Sequence, residues 1–231
     1  MILSNGIFSR STVRAVAAAS PRLTVRRDMS RGASGLGWYK KYEKEGAEGF
    51  VRYKPPTPFD WAQARKTSFV EFEFAAEGQK FGKVKFELLE ELLPETVGNF
   101  KALCSGENSK KLCYEGSPVH FIQKGHAIVL GDAELKTGKG SHSASAKRYF
   151  NDEAHIMPHS APGILSMVNA GVDTNGSQFY ITAAPASHLD GYSVAFGRVV
   201  EGMEVVNKIA GVFTIKGQPV SPVLVSKSTL V

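Results

Sequence analysis

The opening of the folded region most constrains this chain. SFVEFEF at Ser68 to Phe74 and GKVKFELL at Gly82 to Leu89 both alternate apolar with polar residues, and a glycine-containing turn, Glu77-Gly78-Gln79, separates them. A period of two puts one set of side chains on a buried face and the other in solvent, so the pair reads as an antiparallel hairpin. LLPETVGNFKALCSGE then changes the period: Pro94 suits a first helical turn, Val97, Phe100 and Leu103 share a face, and Gly106 stops the helix. GMEVVNKIAG gives a second short helix with Val205 and Ile209 facing inward. Many short strands, two helices and 23 glycines indicate a closed, all-β-dominated barrel with helical plugs.

At 231 residues and 42% hydrophobic, the chain can bury one sizeable core with an appendage. No apolar run approaches the roughly 20 residues that span a bilayer. Cys104 and Cys113 are too few for a disulfide framework and lack zinc-ligand spacing, so both read as packing residues in a reducing compartment.

The net charge of +6 invites a nucleic-acid reading, but its distribution removes most of that signal. Residues 1–66 hold 13 Lys and Arg against 5 Asp and Glu, whereas residues 67–231 hold 15 against 17. Within residues 1–33, Arg10, Arg14, Arg22, Arg26 and Arg27 precede the first acidic residue, Asp28, among many Ser and Ala. Ile2, Leu3, Ile7, Phe8 and Val16 can gather on one side of a helix and Arg10 with Arg14 on another. That composition predicts a mitochondrial targeting segment and a location on the matrix side. Residues 34–66 concentrate both tryptophans, Trp38 and Trp61, with Tyr39, Tyr42, Phe50, Tyr53 and Phe59 around the Pro-rich PPTP. Such a segment cannot build its own core, so its rings bury against the protein's own domain or against a partner. The reading favoured is partner anchoring, through Trp38, Tyr39, Tyr42, Tyr53 and Trp61.

Few motifs carry chemistry from spacing alone. Lys136 to Gly140, KTGKG, lacks the Walker A spacing and a following Ser or Thr, so it reads as a solvated loop. His155 and His159 have i, i+4 spacing, but Pro158 intervenes and no third ligand is evident; both read as surface histidines, and no metal or cofactor is expected. VHFIQKGHAIVLGD, Val119 to Asp132, is an apolar strand with His120, His126 and Lys124, and by itself could be taken for a two-histidine site.

Gly163 to Gly197, GILSMVNAGVDTNGSQFYITAAPASHLDGYSVAFG, changes that reading. Its blocks GILSM, NAG, TNGSQF, LDG and FG, with FEL, PET, NF and AL at Phe86 to Leu103, closely resemble the cyclophilin pattern across residues 67–231. The resemblance implies an eight-stranded antiparallel barrel capped by two helices, and prolyl cis-trans isomerisation as the family activity. Rotation about an X-Pro bond must cross a barrier of about 18–20 kcal/mol. The family lowers it with an arginine that donates toward the twisted amide, beside an apolar pocket for the proline ring.

Here Phe121 stands where the resemblance places that arginine. His126 and Ala127 stand for an apolar Phe-Met pair, Val129 for a glutamine that holds the arginine, Tyr180 for a pocket phenylalanine, His188 for a peptide-binding tryptophan, Ser193 for a pocket histidine and Val168 for a small alanine. Asn169, Ala170, Gln178 and Leu189 match, so with Tyr180 and His188 they are the expected remnants of a peptide groove. A charge-assisted hydrogen bond is worth about 1.5–3 kcal/mol, so losing the arginine alone predicts a rate lower by about 10–100-fold or more. Lys124 and Arg148 are poor substitutes: one lies past the strand's centre, the other in a segment that matches a remote loop. The expectation is a catalytically degenerate cyclophilin-like subunit of a large mitochondrial assembly, a respiratory-chain complex or the mitoribosome. Its partners are then protein subunits, with nucleic acid only in the second case and weakened peptide binding in either. The alternatives are an active mitochondrial isomerase assisting folding, and a peptide-binding chaperone without turnover.

Overall fold

The computed structural model describes residues 59–64 and 66–231. The expected targeting segment and Trp38, Tyr39, Tyr42 and Tyr53 lie outside the described residues.

The first hairpin forms where alternation places it. β1 (Ser68–Ala76) and β2 (Gln79–Leu88) are antiparallel, and the two-residue turn Glu77-Gly78 has positive φ at both positions, 50° and 75°. Such primed turns match the twist of the flanking strands, which is why glycine stands at the second position. Val70, Phe72 and Phe74 from β1 and Val84, Phe86 and Leu88 from β2 are buried on one face. Their alternating neighbours form a ladder outside, where Lys83 Nζ reaches Glu71 at 2.7 Å and Glu73 at 3.2 Å.

The remaining strands are β3 (Phe121–Gln123), β4 (Ala127–Leu130), β5 (Ile164–Met167), β6 (Phe179–Thr182), β7 (Ala195–Glu201), β8 (Thr214–Ile215), β9 (Gln218–Pro219) and β10 (Val223–Leu230). Eight of them make one antiparallel sheet in the order β10-β1-β2-β7-β5-β6-β4-β3, while β8 and β9 form a separate hairpin. The sheet curls until the residues just before β3 meet β10. Gly116 N–H donates to Val225 O at 2.7 Å, Val225 N–H to Ser117 O at 2.9 Å and Val119 N–H to Val223 O at 2.8 Å. The barrel therefore closes through a short seam around the single bridge Pro118 to Leu224, not through a full ladder.

A helix stoppers each end. α1 (Pro94–Ser105) follows β2 and drops Val97, Phe100 and Leu103 into the barrel. Phe100 lies 5.1 Å from both Phe179 and Phe196, ring centre to ring centre, at the middle of an aromatic core that includes Phe72, Phe86 and Tyr114. The free N–H groups of the helix start are met by Glu153, whose carboxylate accepts from Glu95 N at 3.0 Å and Thr96 N at 2.8 Å. Gly106, at φ 71°, ends the helix as expected. α2 (Met203–Ala210) follows β7 at the other end and buries Val205, Val206 and Ile209.

Phe59 and Trp61 pack against this barrel rather than away from it. The Arg198 guanidinium lies 3.9 Å above the Trp61 ring and is held there by Glu87, whose Oε2 accepts from Nε at 2.9 Å and pairs with Nη2 at 2.8 Å. Trp61→Ala should therefore lower the chain's own unfolding free energy by about 1–2 kcal/mol, from a lost cation–π contact and lost ring burial. Urea denaturation checks this; an unchanged midpoint would mean that the ring contributes nothing to the barrel.

Candidate functional site

β3, β4 and β6 carry Phe121, Ala127, Val129 and Tyr180, Val168 to Ala170 follow β5 directly, and His188 and Leu189 lie in a short turn of helix. The strand register sets Phe121 opposite Val129, Val129 opposite Tyr180, and Tyr180 opposite Ser166. Alternation sends Ile122, Ile128, Leu130, Phe179 and Ile181 into the main core, and the residues between them to the outer face. There Ala127, Val129, Val168, Tyr180, Ala186 and Leu189 form a second apolar cluster, each no more than 3% exposed, with Phe121 packed against its edge. The outer face is thus filled by the chain's own side chains.

Two features bring Phe121 to that edge. Ile122 N–H donates to Gly217 O at 2.7 Å, so the β8–β9 hairpin lies along β3. Gly217, at φ 80°, also leaves room for the Phe121 ring, which a Cβ there would strike. Neither described arginine is beside the cluster's centre with a free guanidinium. Arg148 is forked onto Glu134 at 3.2 and 2.8 Å, and Arg198 is held between Glu87 and Trp61. Lys124 sits exposed in the β3–β4 turn.

The matching polar residues serve the fold locally. Gln178 is buried and its Nε2 donates to Gly138 O at 3.0 Å and Gly140 O at 2.6 Å. Asn169 Nδ2 donates to Tyr192 O at 2.6 Å, drawing the 190s loop onto the segment that follows β5. Ala170 is exposed, with its N–H bonded to Thr174 Oγ1 at 2.9 Å. Ser193 is buried and its hydroxyl has no partner.

The KTGKG loop is not the plain solvated loop that its spacing suggests. Asp132, fully buried, accepts N–H bonds from Glu134 at 3.2 Å, Leu135 at 2.8 Å, Thr137 at 2.9 Å, Gly138 at 2.8 Å and Gly140 at 3.0 Å. The loop does cradle an anion, and the anion belongs to the chain. Burial pushes the Asp132 carboxyl up, but the N–H groups of Leu135, Gly140, Thr137 and Gly138 outweigh it and hold the group below its ordinary range.

The histidines are likewise redistributed. His159 is not on the surface: it is 1% exposed, with Nδ1 2.8 Å from Asp190 Oδ1 and Nε2 2.7 Å from Ser166 Oγ. Ser, His and Asp in that order make a nucleophile relay when the serine is accessible. Ser166 is fully buried next to Tyr180 in the register, so here the chain of bonds ties β5 to the 187–190 turn. His120 Nδ1 is buried without a partner, and burial pushes this histidine down to about 4 despite the nearby Asp132. His188 meets His126 edge to face at 6.3 Å, and it too is pushed down to about 4, by burial first and then by His126 and His159. Among the described residues no group of three His, Cys, Asp or Glu side chains could hold a metal ion.

A histidine that is harder to protonate when folded costs stability in acid. Stability from His120 and His188 is fully present above the ordinary value near 6.5 and is lost as pH falls toward about 4. The unfolding free energy should therefore fall between pH 6.5 and 4, by up to about 1.4 kcal/mol per pH unit for each such group, and the thermal midpoint with it. His188→Leu should flatten that profile, and a profile unchanged by the substitution would remove His188 from the account.

An eight-stranded antiparallel barrel capped by two helices is the arrangement the resemblance implies. The chain matches the family described as "Cyclophilin type peptidyl-prolyl cis-trans isomerase/CLD" over residues 70–230, and so belongs to the cyclophilin family. It is 42% identical over 149 residues to proteins named NK-tumor recognition protein from Mus musculus and Homo sapiens. The match covers 62% of this chain but only 10% of either relative, so the likeness concerns one domain of much longer proteins.

Proposed function

We propose that this chain is a cyclophilin-like protein without useful isomerase turnover, kept as an accessory, structural subunit of a large mitochondrial assembly. One observation supports the reading: Phe121, which the resemblance sets against the family's arginine, packs at the edge of a cluster in which Tyr180, Val129 and Val168 are each no more than 3% exposed. A phenyl ring cannot donate to a twisted amide, and a proline ring would have to displace buried side chains to approach it.

The mitochondrial part of the reading rests on the arginine-rich, acid-free composition of residues 1–27. A respiratory-chain complex suits it better than the mitoribosome, because residues 34–66 carry 7 basic against 4 acidic residues, a modest excess for an RNA partner. The experiment is native-gel migration of mitochondrial extracts containing the full-length chain or a chain lacking residues 34–58. Co-migration with a megadalton particle that is lost on deletion supports the reading. Migration as a free protein of about this chain's mass, or co-migration unaffected by the deletion, overturns the subunit or the anchor respectively.

The second reading, a peptide-binding chaperone without turnover, draws on Ala170, which is exposed beside the retained Asn169. An extended peptide could still lie along that segment with its side chains outside the filled pocket.

A further inference from the structure

Among the described residues, the β8–β9 hairpin and its flanks hold three of the five most exposed large apolar side chains. Thr214 pairs with Pro219 and Ile215 with Gln218, and Val220 N–H donates to Phe213 O at 3.1 Å. Alternation therefore places Phe213, Ile215, Gln218 and Val220 on one face, and that face looks outward. Phe213 is 72% exposed, Ile215 61% and Val220 56%, whereas Thr214 and Pro219 are partly covered. The hairpin is firmly seated, because Gly217 at its tip lies against Phe121 and accepts from Ile122 N–H. Three large apolar side chains are thus held in water on a fixed support.

The chain segment that holds them carries charges of one sign only. From Val205 to the last residue, Val231, the chain has Lys208, Lys216 and Lys227 and no aspartate or glutamate. Lys216 stands at the hairpin tip, and the neighbouring β3–β4 turn adds the exposed Lys124. One carboxylate does stand beside the hairpin: Glu77 of the β1–β2 turn accepts from Ser221 Oγ at 2.7 Å.

We propose that this face docks onto an anionic lipid surface, with Phe213, Ile215 and Val220 entering the headgroup layer and Lys216 and Lys124 meeting its charges. Apolar side chains rimmed by lysine suit an interface that is apolar beneath and negative at its rim. Size favours lipid over protein: three side chains offer roughly a few hundred Å², while a stable protein interface needs roughly 800 Å² per partner with matched shape. The proposal stands apart from the isomerase question and does not depend on membership of an assembly.

The test uses the full-length chain carrying Cys113→Ser, with an environment-sensitive fluorophore on Ile215→Cys or, as a control, on Thr229→Cys of β10. Each protein is floated with phosphatidylcholine vesicles that do or do not contain about one third phosphatidylglycerol. The expected result is a blue shift at position 215 and none at 229, with the anionic vesicles only. Phe213→Ser with Val220→Ser should lower partitioning about tenfold, and Lys216→Glu should lower it several-fold. Two results would overturn the proposal. In one, the chain floats with no shift at 215, its basic amino-terminal residues doing the binding. In the other, the 215 label shifts without vesicles as the protein doubles in mass, and the face belongs to a second copy.

Discussion

Asp132→Ala should lower the unfolding free energy by about 4 kcal/mol or more, a large part of the 5–15 kcal/mol that a domain usually has. The substitution removes one carboxylate and leaves five backbone N–H groups, from Glu134 to Gly140, turned toward an empty centre. Water could reach some of them, which limits the loss, but the loop would lose the shape that presents Gly138 O and Gly140 O to Gln178. Asp132→Asn should cost less, because its amide oxygen still accepts while its NH₂ opposes the remaining donors. Chemical denaturation of the two variants orders them. The wild-type carboxylate also fixes a sign: its folded value lies below the ordinary one, so its stabilisation is present above about pH 4 and fades as pH falls through the folded value. Equal stability of wild type and Asp132→Ala would show that the loop holds itself.

The second large effect is on rate, and it should require several substitutions together. Phe121→Arg alone sets a guanidinium against Val129, Tyr180 and Val168, in an outer cluster without a carboxylate to steady it. A gain in prolyl isomerisation below about tenfold is expected from that change. Adding Val129→Gln gives the guanidinium a polar neighbour in the register, and Val168→Ala with Tyr180→Phe lightens the cluster where the resemblance places the proline ring. The combined variant should gain about 100-fold or more over the wild type, the equivalent of about 2.7 kcal/mol in the transition state. Full recovery from Phe121→Arg alone would mean that the other replacements do not matter to the chemistry.

Local pattern made much of the fold legible. The β1–β2 alternation, Pro94 and Gly106 around α1, and the inward Val205 and Ile209 of α2 all stand where residue spacing puts them, because each depends on neighbours a few positions away. The outer-face cluster was legible only through the resemblance, since Phe121 and Val129 come from one stretch and Val168 and Tyr180 from another some 40 residues on, and pairing of β4 with β6 brings them together. The Asp132 cradle could not be read from KTGKG, because its donors converge only once the loop has curled back; an aspartate four residues ahead of a run rich in glycine was the available signal. The burial of His159 is not legible locally, because its partners, Ser166 and Asp190, are set by tertiary pairing and not by the i, i+4 spacing to His155. The contact of Trp61 with Arg198 of β7 has no local signature either, and composition alone sets Trp61 among the anchoring aromatics.

The central claim concerns Phe121, and one assay reaches it directly: the rate at which the purified full-length chain isomerises a standard prolyl tetrapeptide, measured beside a cyclophilin that keeps the arginine. The account predicts a rate constant lower by at least about 100-fold, the effect of a missing donor compounded by a filled pocket. Turnover within about tenfold of the arginine-bearing enzyme would contradict it and identify the chain as an active isomerase.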